Sequence, residues 1–237
     1  MTTKARPFEI IIPIYDGVDL MDVAAPVEMF SWMAQSWKKR SATVTLVAET
    51  VNPLKTRDGL TLTPQRAFAE YGKAKQAQLL WVPGGTPEAL KVLMKGGAYL
   101  DFLKSQSRGA DYVTSVCEGA FLLAAAGLLD GYRATTHWAF IPCFKAFPAI
   151  KVANRYPRFV IDRNRITGGG ISSGLDEALA IIALIAGDAV AKDVQMTTQY
   201  FPKPPFRQTI TPSKRCALSS SNQNRKAKVG GAARTDD

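Results

Sequence analysis

The sequence predicts an α/β protein with a mostly parallel central sheet covered by helices on both faces. Over residues 1–202, short apolar runs alternate with segments of helical periodicity, the pattern that produces such sheets. The first run, Phe8–Pro13, is rich in isoleucine and apolar almost throughout, which is typical of a strand buried on both faces. The 237 residues, 46% hydrophobic and 21% charged, suffice for one sizeable domain.

The remaining elements follow from the same two periodicities. Further strands are predicted at Thr43–Ala48, Leu79–Val82, Tyr112–Val116, Arg158–Asp162 and Arg165–Thr167. Helices are predicted from Pro26 to Ala34, from Glu118 to Leu129, from Glu177 to Ala186 behind a capping box at Ser173–Asp176, and from Asp188 to about Tyr200.

Cys117 is the candidate reactive residue. An apolar strand runs into it, and Gly119 opens a helix rich in alanine and leucine, as in a nucleophile elbow. Parallel sheets place their sites at the carboxyl ends of strands, where this cysteine stands. Because the positive end of a helix stabilises an anion, we expect a lowered thiol pKa and a partly ionised thiol. The alternative is a buried, inert cysteine.

The other candidate groups are fewer and weaker. Cys143 lies among large apolar residues and is interpreted as packing, whereas Cys216 is interpreted as incidental. Three widely spaced cysteines predict neither a disulfide framework nor a zinc site. His137 is the only histidine, and we favour a structural, hydrogen-bonded role beneath Trp138 over a role as general base. No metal site is predicted.

The net charge of +10 belongs mainly to the C-terminus. From Lys203 onward there are eight basic and two acidic residues, and from about Ser213 the chain is polar with little apolar content. We therefore predict a domain over residues 1–206 and a basic, disordered tail over residues 207–237. Nucleic-acid binding is not expected. Neither a signal peptide nor a membrane span is recognisable, which favours a cytoplasmic protein.

Four motifs in a fixed order carry a family resemblance. They are Val82-Pro-Gly-Gly, Ser115-Val-Cys-Glu-Gly-Ala, Gly127-Leu-Leu-Asp-Gly followed by Arg133-Ala-Thr-Thr-His-Trp, and Thr167-Gly-Gly-Gly-Ile-Ser-Ser-Gly-Leu-Asp. Together they resemble the ThiJ/PfpI family of the class I glutamine-amidotransferase-like superfamily, over about residues 8–206. Within it, the pattern is most similar to the isonitrile hydratases.

The resemblance implies a flavodoxin-like three-layer sandwich, a homodimer, a cysteine nucleophile and no metal or organic cofactor. It implies that an acidic residue in the loop after the first strand contacts the sulfur. Met21-Asp22-Val-Ala-Ala-Pro matches that loop, which makes Asp22 the catalytic partner of Cys117. Asp16 and Asp19 fit the motif less well, and helix capping is the structural alternative for Asp22.

The implied activity is that of a hydro-lyase that converts an isonitrile to an N-substituted formamide through a thioimidate on Cys117. The substrate pocket is predicted to consist of Gly84, Gly85, Glu118, Gly169, Gly170 and Ile171. Backbone N–H groups at Gly85 and Glu118 would face the developing charge.

One residue departs from the pattern. Isonitrile hydratases carry threonine directly after the cysteine, and protease-like members carry histidine, whereas this chain has Glu118. Two alternatives therefore stay open. One is another small-electrophile enzyme of glyoxalase type, and the other is a non-enzymatic redox or ligand sensor that uses Cys117.

Overall fold

The computed structural model describes residues 6–72 and 77–218. The elements are, in chain order, β1 (Phe8–Pro13), α1 (Leu20–Ser36), β2 (Ala42–Ala48), β3 (Leu54–Lys55), β4 (Thr61–Leu62), β5 (Arg66–Ala67), β6 (Leu79–Val82), α2 (Pro87–Leu93), α3 (Ala98–Ser107), β7 (Tyr112–Ser115), α4 (Gly119–Ala125), β8 (Arg133–Ala134), β9 (Lys151–Val152), β10 (Phe159–Asp162), β11 (Arg165–Gly168), α5 (Ser173–Ala186) and α6 (Asp188–Thr197). Short 3-10 helices lie at Phe68–Glu70 and Trp138–Ala146.

The central sheet has seven strands in the order β10-β11-β7-β6-β1-β2-β5. All neighbours are parallel except β10 and β11, which form an antiparallel hairpin at one edge. The carboxyl ends of β1, β6, β7 and β11 therefore meet at one edge of the sheet, and the predicted site residues follow these four strands. The predicted α/β class and parallel sheet are confirmed.

The core lies on both faces of this sheet. Ile10, Ile11 and Ile12 of β1 are fully buried, and all four residues of β6 are buried as well. Helices α1, α5 and α6 pack on one another, whereas α2 and α3 contact α4. A strand buried on both faces reads as continuously apolar, and for this reason β1 and β6 were predicted with correct bounds.

Helix α1 begins earlier than predicted. It starts at Leu20 and continues through Pro26, which the sequence places at the first turn. Proline inside a helix leaves the carbonyl four residues earlier without its N–H donor. That carbonyl belongs to Asp22, and it accepts a hydrogen bond from the indole N–H of Trp81 at 2.9 Å. A donor from β6 thus makes the internal proline tolerable, and Asp22 lies inside the helix instead of before it.

Two other helix boundaries also differ. The capping box at Ser173 is wrong, because Ser173 is the first residue of α5 and no side chain caps this helix. Asp176 instead forms an ion pair with Arg158. Helix α4 ends at Ala125 instead of Leu129, ahead of Gly127, whose φ of +72° is typical of the turn after a helix.

The interpretation of two cysteines is wrong. Cys143 and Cys216 form a disulfide with Cα atoms 4.6 Å apart, although 73 positions separate them in the sequence. Only folding brings such distant positions together, so the spacing of the cysteines in the sequence did not predict the disulfide. Most of the predicted disordered tail, residues 219–237, lies outside the described residues. The boundary at residue 206 stays a prediction.

Within residues 6–72 and 77–218, none of the helices has the length and apolar character needed to cross a bilayer.

Candidate active site

Cys117 occupies a strained turn between β7 and α4. Its φ is +54°, a left-handed conformation that a residue with a side chain adopts at a cost. The turn is tight because β6 passes directly beneath it: a Cβ on Gly119 would lie 2.1 Å from the carbonyl oxygen of Val82. Only glycine fits there, which explains the Cys-x-Gly spacing. The predicted strand-cysteine-helix elbow is confirmed.

Neighbouring loops hold the Cys117 backbone on both sides. Its N–H donates to the Gly169 carbonyl at 2.8 Å, and its own carbonyl accepts from the Thr136 hydroxyl at 2.7 Å. The residue is 2% exposed. The elbow is therefore fixed from the loop after β11 and from the loop after β8, so the sulfur position is largely determined by backbone contacts.

Glu118 points into the site and not to solvent. It is 6% exposed, and its carboxylate accepts hydrogen bonds from the Cys117 thiol and from its own backbone N–H. The position at which this chain departs from the family pattern thus supplies the group in direct contact with the sulfur. The backbone N–H of Glu118, predicted to face the substrate, is engaged by its own side chain.

Asp22 lies beside the same thiol but makes its hydrogen bond elsewhere. It is 1% exposed, and its Oδ2 accepts from the Gly84 N–H at 2.9 Å. Its Oδ1 has no hydrogen-bond partner within the described part of the chain. A Cβ on Gly84 would lie 2.6 Å from Glu118 Oε2 and 2.9 Å from Asp22 Oδ2. The two carboxyl groups therefore converge above Gly84, where only a hydrogen atom fits between them.

The predicted lowering of the Cys117 pKa is wrong. Burial raises the pKa of the thiol well above its usual value, and the charges of Asp22 and Glu118 raise it further. Only a hydrogen bond from the Ile171 N–H to the sulfur acts in the opposite direction. The N-terminus of a helix stabilises a nearby anion by up to about 1 kcal/mol at an exposed site. The cost of burying a thiolate beside two acids is larger. The resting group is a neutral thiol.

The two carboxyl groups beside the thiol also have raised pKa values. Burial raises the pKa of Asp22 well above its usual value, helped by the charges of Asp19 and Glu118. Burial also raises the pKa of Glu118, although its hydrogen bond from the Cys117 thiol opposes the change. A cluster of this kind retains a proton at neutral pH, because two adjacent carboxylates are costly in a buried site.

An ion pair next to the cluster escaped the sequence analysis. Asp19, considered a poorer match than Asp22, is 2% exposed and pairs with Arg57 Nη1 at 2.8 Å. Burial raises the pKa of Asp19, as it does that of Asp22, and the charge of Arg57 opposes both increases. It comes from the segment between β3 and β4, for which the sequence predicted no structure, and no motif marks it.

The other predicted pocket residues come together around the elbow. Ile171 meets the sulfur through its N–H, and Gly169 meets the Cys117 N–H. Gly85 lies against Tyr15, whose hydroxyl would be 2.9 Å from an added Cβ. Gly170 lies against His137, whose ring would be 2.1 Å from an added Cβ. Gly85 and Gly170 are needed for close packing at these positions, and their contact with a substrate stays a prediction.

His137 makes its contacts away from the thiol. Its Nδ1 accepts a hydrogen bond from the Ala139 N–H at 3.3 Å, and its ring packs near Trp138 and Phe140. Burial lowers its pKa, and the charge of Arg57 lowers it further, so the ring is neutral at pH 7. The predicted structural role agrees with these contacts.

Glu177 is a buried acid that the sequence did not mark as a site residue. It is fully buried in α5, and neither side-chain oxygen has a hydrogen-bond partner among the residues described. Oε2 would lie 2.1 Å from a Cβ on Gly168, so it sits against the end of β11. Burial raises its pKa well above the usual value, and the charge of Asp22 adds to this.

A cavity of about 390 Å³ opens beside the elbow. Thr136, Gly169 and Ile171, which hold Cys117 in place, line it, together with Gly170 and His137. This volume is within the range of small-molecule pockets. In the same described residues, no three acidic, cysteine or histidine side chains are grouped so as to hold a metal ion.

Comparison with known proteins decides the family. Residues 9–184 match the DJ-1/PfpI family. The chain belongs to this family. A ThiJ/PfpI family protein from Pseudomonas syringae, solved as a crystal structure, superposes with a TM-score of 0.75 at 34% identity, over 85% of this chain and 78% of that one. The ThiJ/PfpI resemblance and the flavodoxin-like fold are thereby confirmed.

Its curated relatives include both an enzyme and regulators. The isonitrile hydratase of Pseudomonas putida is 36% identical over 193 residues, which cover 81% of this chain and 78% of that protein. The HTH-type transcriptional regulator GbdR of Pseudomonas aeruginosa is 35% identical over 126 residues, covering 53% of this chain but 32% of the regulator. This chain therefore matches about four fifths of an enzyme and about a third of a regulator.

Proposed function

We propose that this DJ-1/PfpI protein is a cysteine-dependent isonitrile hydratase that forms N-substituted formamides. The observation that carries the proposal is the neutral Cys117 thiol held at the elbow between two buried carboxyl groups, Glu118 in hydrogen-bond contact and Asp22 beside it. The similarity to an isonitrile hydratase over most of both chains supports it. Isonitriles are uncharged and react with a nucleophile and an acid together, which suits this arrangement.

The first step forms a thioimidate. The Cys117 sulfur attacks the terminal carbon of R–N≡C while its proton passes to the Glu118 carboxylate, its hydrogen-bond acceptor. Asp22, protonated at rest, delivers its proton to the same carbon. The product is R–N=CH–S–Cys117, with Glu118 now the acid and Asp22 the base. The thiol loses its proton to Glu118 only as the carbon–sulfur bond forms, so a raised thiol pKa is compatible with catalysis.

The second step consumes water and reverses these proton positions. Asp22 takes a proton from a water molecule that attacks the thioimidate carbon, and Glu118 returns its proton to the nitrogen. The resulting R–NH–CH(OH)–S–Cys117 collapses as the carbon–sulfur bond breaks, and the hydroxyl proton passes to the sulfur. R–NH–CHO leaves, and the thiol and both carboxyl groups regain their starting protonation.

Turnover of alkyl and aryl isocyanides tests this proposal directly. The protein is incubated with cyclohexyl isocyanide, and the formamide proton is followed by NMR. We expect formamide production by the wild type and a loss of at least about 10³-fold in kcat for Cys117→Ala, as is usual for removal of a nucleophile. No formamide from wild type, or equal rates from both proteins, would sink the proposal.

A glyoxalase-type activity is tested in the same assay with methylglyoxal as substrate. Its consumption by wild type but not by Cys117→Ala, without isonitrile turnover, would assign the other small-electrophile chemistry.

A ligand-sensing domain is the second candidate. The match to a DNA-binding regulator over about half of this chain favours it. The raised pKa of Cys117 argues against a sensor that relies on rapid oxidation, because the thiolate is the form that peroxide attacks. Calorimetric binding of an isonitrile by wild type without turnover, weakened in Cys117→Ala, would support the sensor.

The proposal retains a homodimer, a cytoplasmic location and independence from metals and organic cofactors. Sedimentation analysis of the purified protein tests the dimer. Turnover that persists unchanged after dialysis against a chelator tests the metal independence.

A further inference from the structure

The chain segment from Ile210 to Cys216, which we call the C-terminal strap, begins at the wall of the cavity beside the elbow. Ile210 lines the 390 Å³ cavity beside the elbow. Thr211, Pro212 and Ser213 then line a neighbouring depression together with residues 137–140. The strap therefore runs along the His137 loop, although the sequence predicted a disordered tail from residue 207.

The far end of the strap is covalently fixed. Cys216 is bonded to Cys143, which is 4% exposed in the 3-10 helix Trp138–Ala146. Two residues later, Leu218 is partly buried against the hydrophobic core. An extended segment with few backbone hydrogen bonds would otherwise open readily. The disulfide confines it to the rim of the cavity.

Apolar groups form the larger part of the cavity wall, beside the hydroxyl groups of Thr136, Ser172 and Ser173. Apart from Ile210, the apolar side chains that line it are Met21, Trp138, Pro157 and Ile171. The charge of Arg158 is offset by Asp176, and the ring of His137 is neutral. A substrate substituent that occupies this space should therefore be apolar and uncharged.

The same cavity adjoins the reacting thiol. Thr136 and Gly169 line it and hydrogen-bond the Cys117 backbone, while Ile171 lines it and donates its N–H to the sulfur. A substituent in the cavity would thus lie between the backbone around Cys117 on one side and Ile210 on the other.

We propose that the C-terminal strap is the outer wall of the substrate pocket and that Ile210 is a specificity-determining residue for the apolar substituent of the isonitrile. The substrate part of this inference rests on the proposed function, whereas the position of Ile210 in the cavity wall does not. Cleavage of the disulfide releases the wall, and a change in side-chain size at Ile210 changes which substituents fit.

Alkylation of Cys117 tests the wall without reference to any activity. Cys117 is the one free cysteine of the wild-type chain. In the Cys143→Ala/Cys216→Ala variant it is the only cysteine that remains. Modification by iodoacetamide, followed by intact mass, should be at least about tenfold faster in the double variant, because the untethered strap opens by local unfolding. Circular dichroism establishes that both proteins are folded.

Ile210→Ala provides a second measurement with the disulfide intact. Ile210 is 43% exposed, so its truncation leaves the core unchanged, and Cys117 should again be alkylated faster than in wild type. Phe206→Ala is the matched control, because Phe206 is 81% exposed on the same segment ahead of the strap. Equal alkylation rates in wild type, the double variant and Ile210→Ala would overturn the proposed wall.

A substrate series tests the specificity role. Relative to methyl isocyanide, kcat/KM for cyclohexyl isocyanide should rise about tenfold in Ile210→Ala and fall about tenfold in Ile210→Trp, the usual effect of a few methylene groups in an apolar pocket. Phe206→Ala should keep the wild-type ratio. An unchanged ratio in both Ile210 variants would refute the specificity role. If wild type turns over neither substrate, the proposed function fails, and the alkylation rates alone decide whether the wall exists.

Discussion

Cys117 and Cys143 are both almost completely buried, yet their surroundings have opposite chemistry. Cys117 lies in a left-handed turn beside Asp22 and Glu118, and burial together with these acids raises its pKa. Cys143 lies among aromatic and aliphatic side chains and is bonded to Cys216. The first region keeps a strained backbone and two buried carboxyl groups close together, whereas the second adds a covalent cross-link.

The difference teaches that burial alone does not decide the role of a cysteine. Strain and unpaired buried polar groups cost stability and persist where they serve a site. A cross-link stabilises the fold and needs only two cysteines at the right distance. Substitutions near Cys117 should therefore affect activity with little loss of stability, and substitutions at the disulfide should do the reverse.

The largest effect should come from the two acids of the site. In the proposed mechanism, Glu118→Gln removes the acceptor of the thiol proton, and Asp22→Asn removes the acid that protonates the substrate carbon. Each should lower kcat for cyclohexyl isocyanide by roughly 10²–10⁴-fold, the usual contribution of a general acid or base. Neither should lower the urea midpoint, because a neutral amide replaces a buried carboxyl group.

Glu49→Gln is the matched control, since Glu49 is exposed and distant from the elbow in sequence. A wild-type kcat in Glu118→Gln would show that the thiol proton takes another route. A wild-type kcat in Asp22→Asn would show that the acid is wrongly assigned.

The disulfide should have the second largest effect, on stability. A loop closed over 73 positions predicts that Cys143→Ala/Cys216→Ala loses roughly 2–5 kcal/mol of unfolding free energy. Urea denaturation of both proteins measures this. The variant should still hydrate methyl isocyanide with the wild-type kcat, because Cys117 and its acids are unaltered. A loss of kcat with unchanged stability would reverse the proposed division between the two cysteine regions.

The sequence predicts these regions unequally for a physical reason. The elbow is local: an apolar strand, Cys117 and Gly119 occupy eight consecutive positions at most, so their pattern can be recognised along the chain. The disulfide joins two positions that only tertiary folding brings together. The direction of the Cys117 pKa was wrong for the same reason, since burial and neighbouring acids are three-dimensional and the helix terminus is not.

The buried acid Glu177 gives a smaller, pH-dependent effect. Its folded pKa is raised, so its contribution to stability is fully present below the unfolded value near 4.5 and is lost as the pH rises through the folded pKa. Glu177→Gln removes this loss. Between the unfolded and the folded pKa of Glu177, the unfolding free energy of Glu177→Gln minus that of wild type should increase by roughly 1.4 kcal/mol per pH unit.

Urea denaturation of wild type and Glu177→Gln at a series of pH values measures this difference. Asp19, Asp22 and Glu118 have raised pKa values as well, so the wild-type decline should be reduced and not abolished in the variant. Parallel pH profiles of the two proteins would show that Glu177 is ionised in the folded state with a normal pKa.

The smallest effect concerns the helix that presents Asp22. The Asp22 carbonyl lacks a helical donor because of Pro26, and Trp81 supplies the missing N–H. Trp81→Phe keeps a ring against Phe30 but removes the donor. It should cost about 1–3 kcal/mol of unfolding free energy, as expected for a buried carbonyl left unpaired together with a smaller ring.

Pro26→Ala restores a backbone N–H four residues after Asp22, so it should offset part of the cost of Trp81→Phe. Urea denaturation of wild type, both single variants and the double variant gives a coupling energy between the two positions. Coupling of about 1 kcal/mol, the net worth of one hydrogen bond, is expected. Additive effects would mean that Trp81 stabilises this region only through the packing of its ring. The helix that presents Asp22 would then be held at this point by side-chain packing alone, and no backbone hydrogen bond from the core would help to position the acid.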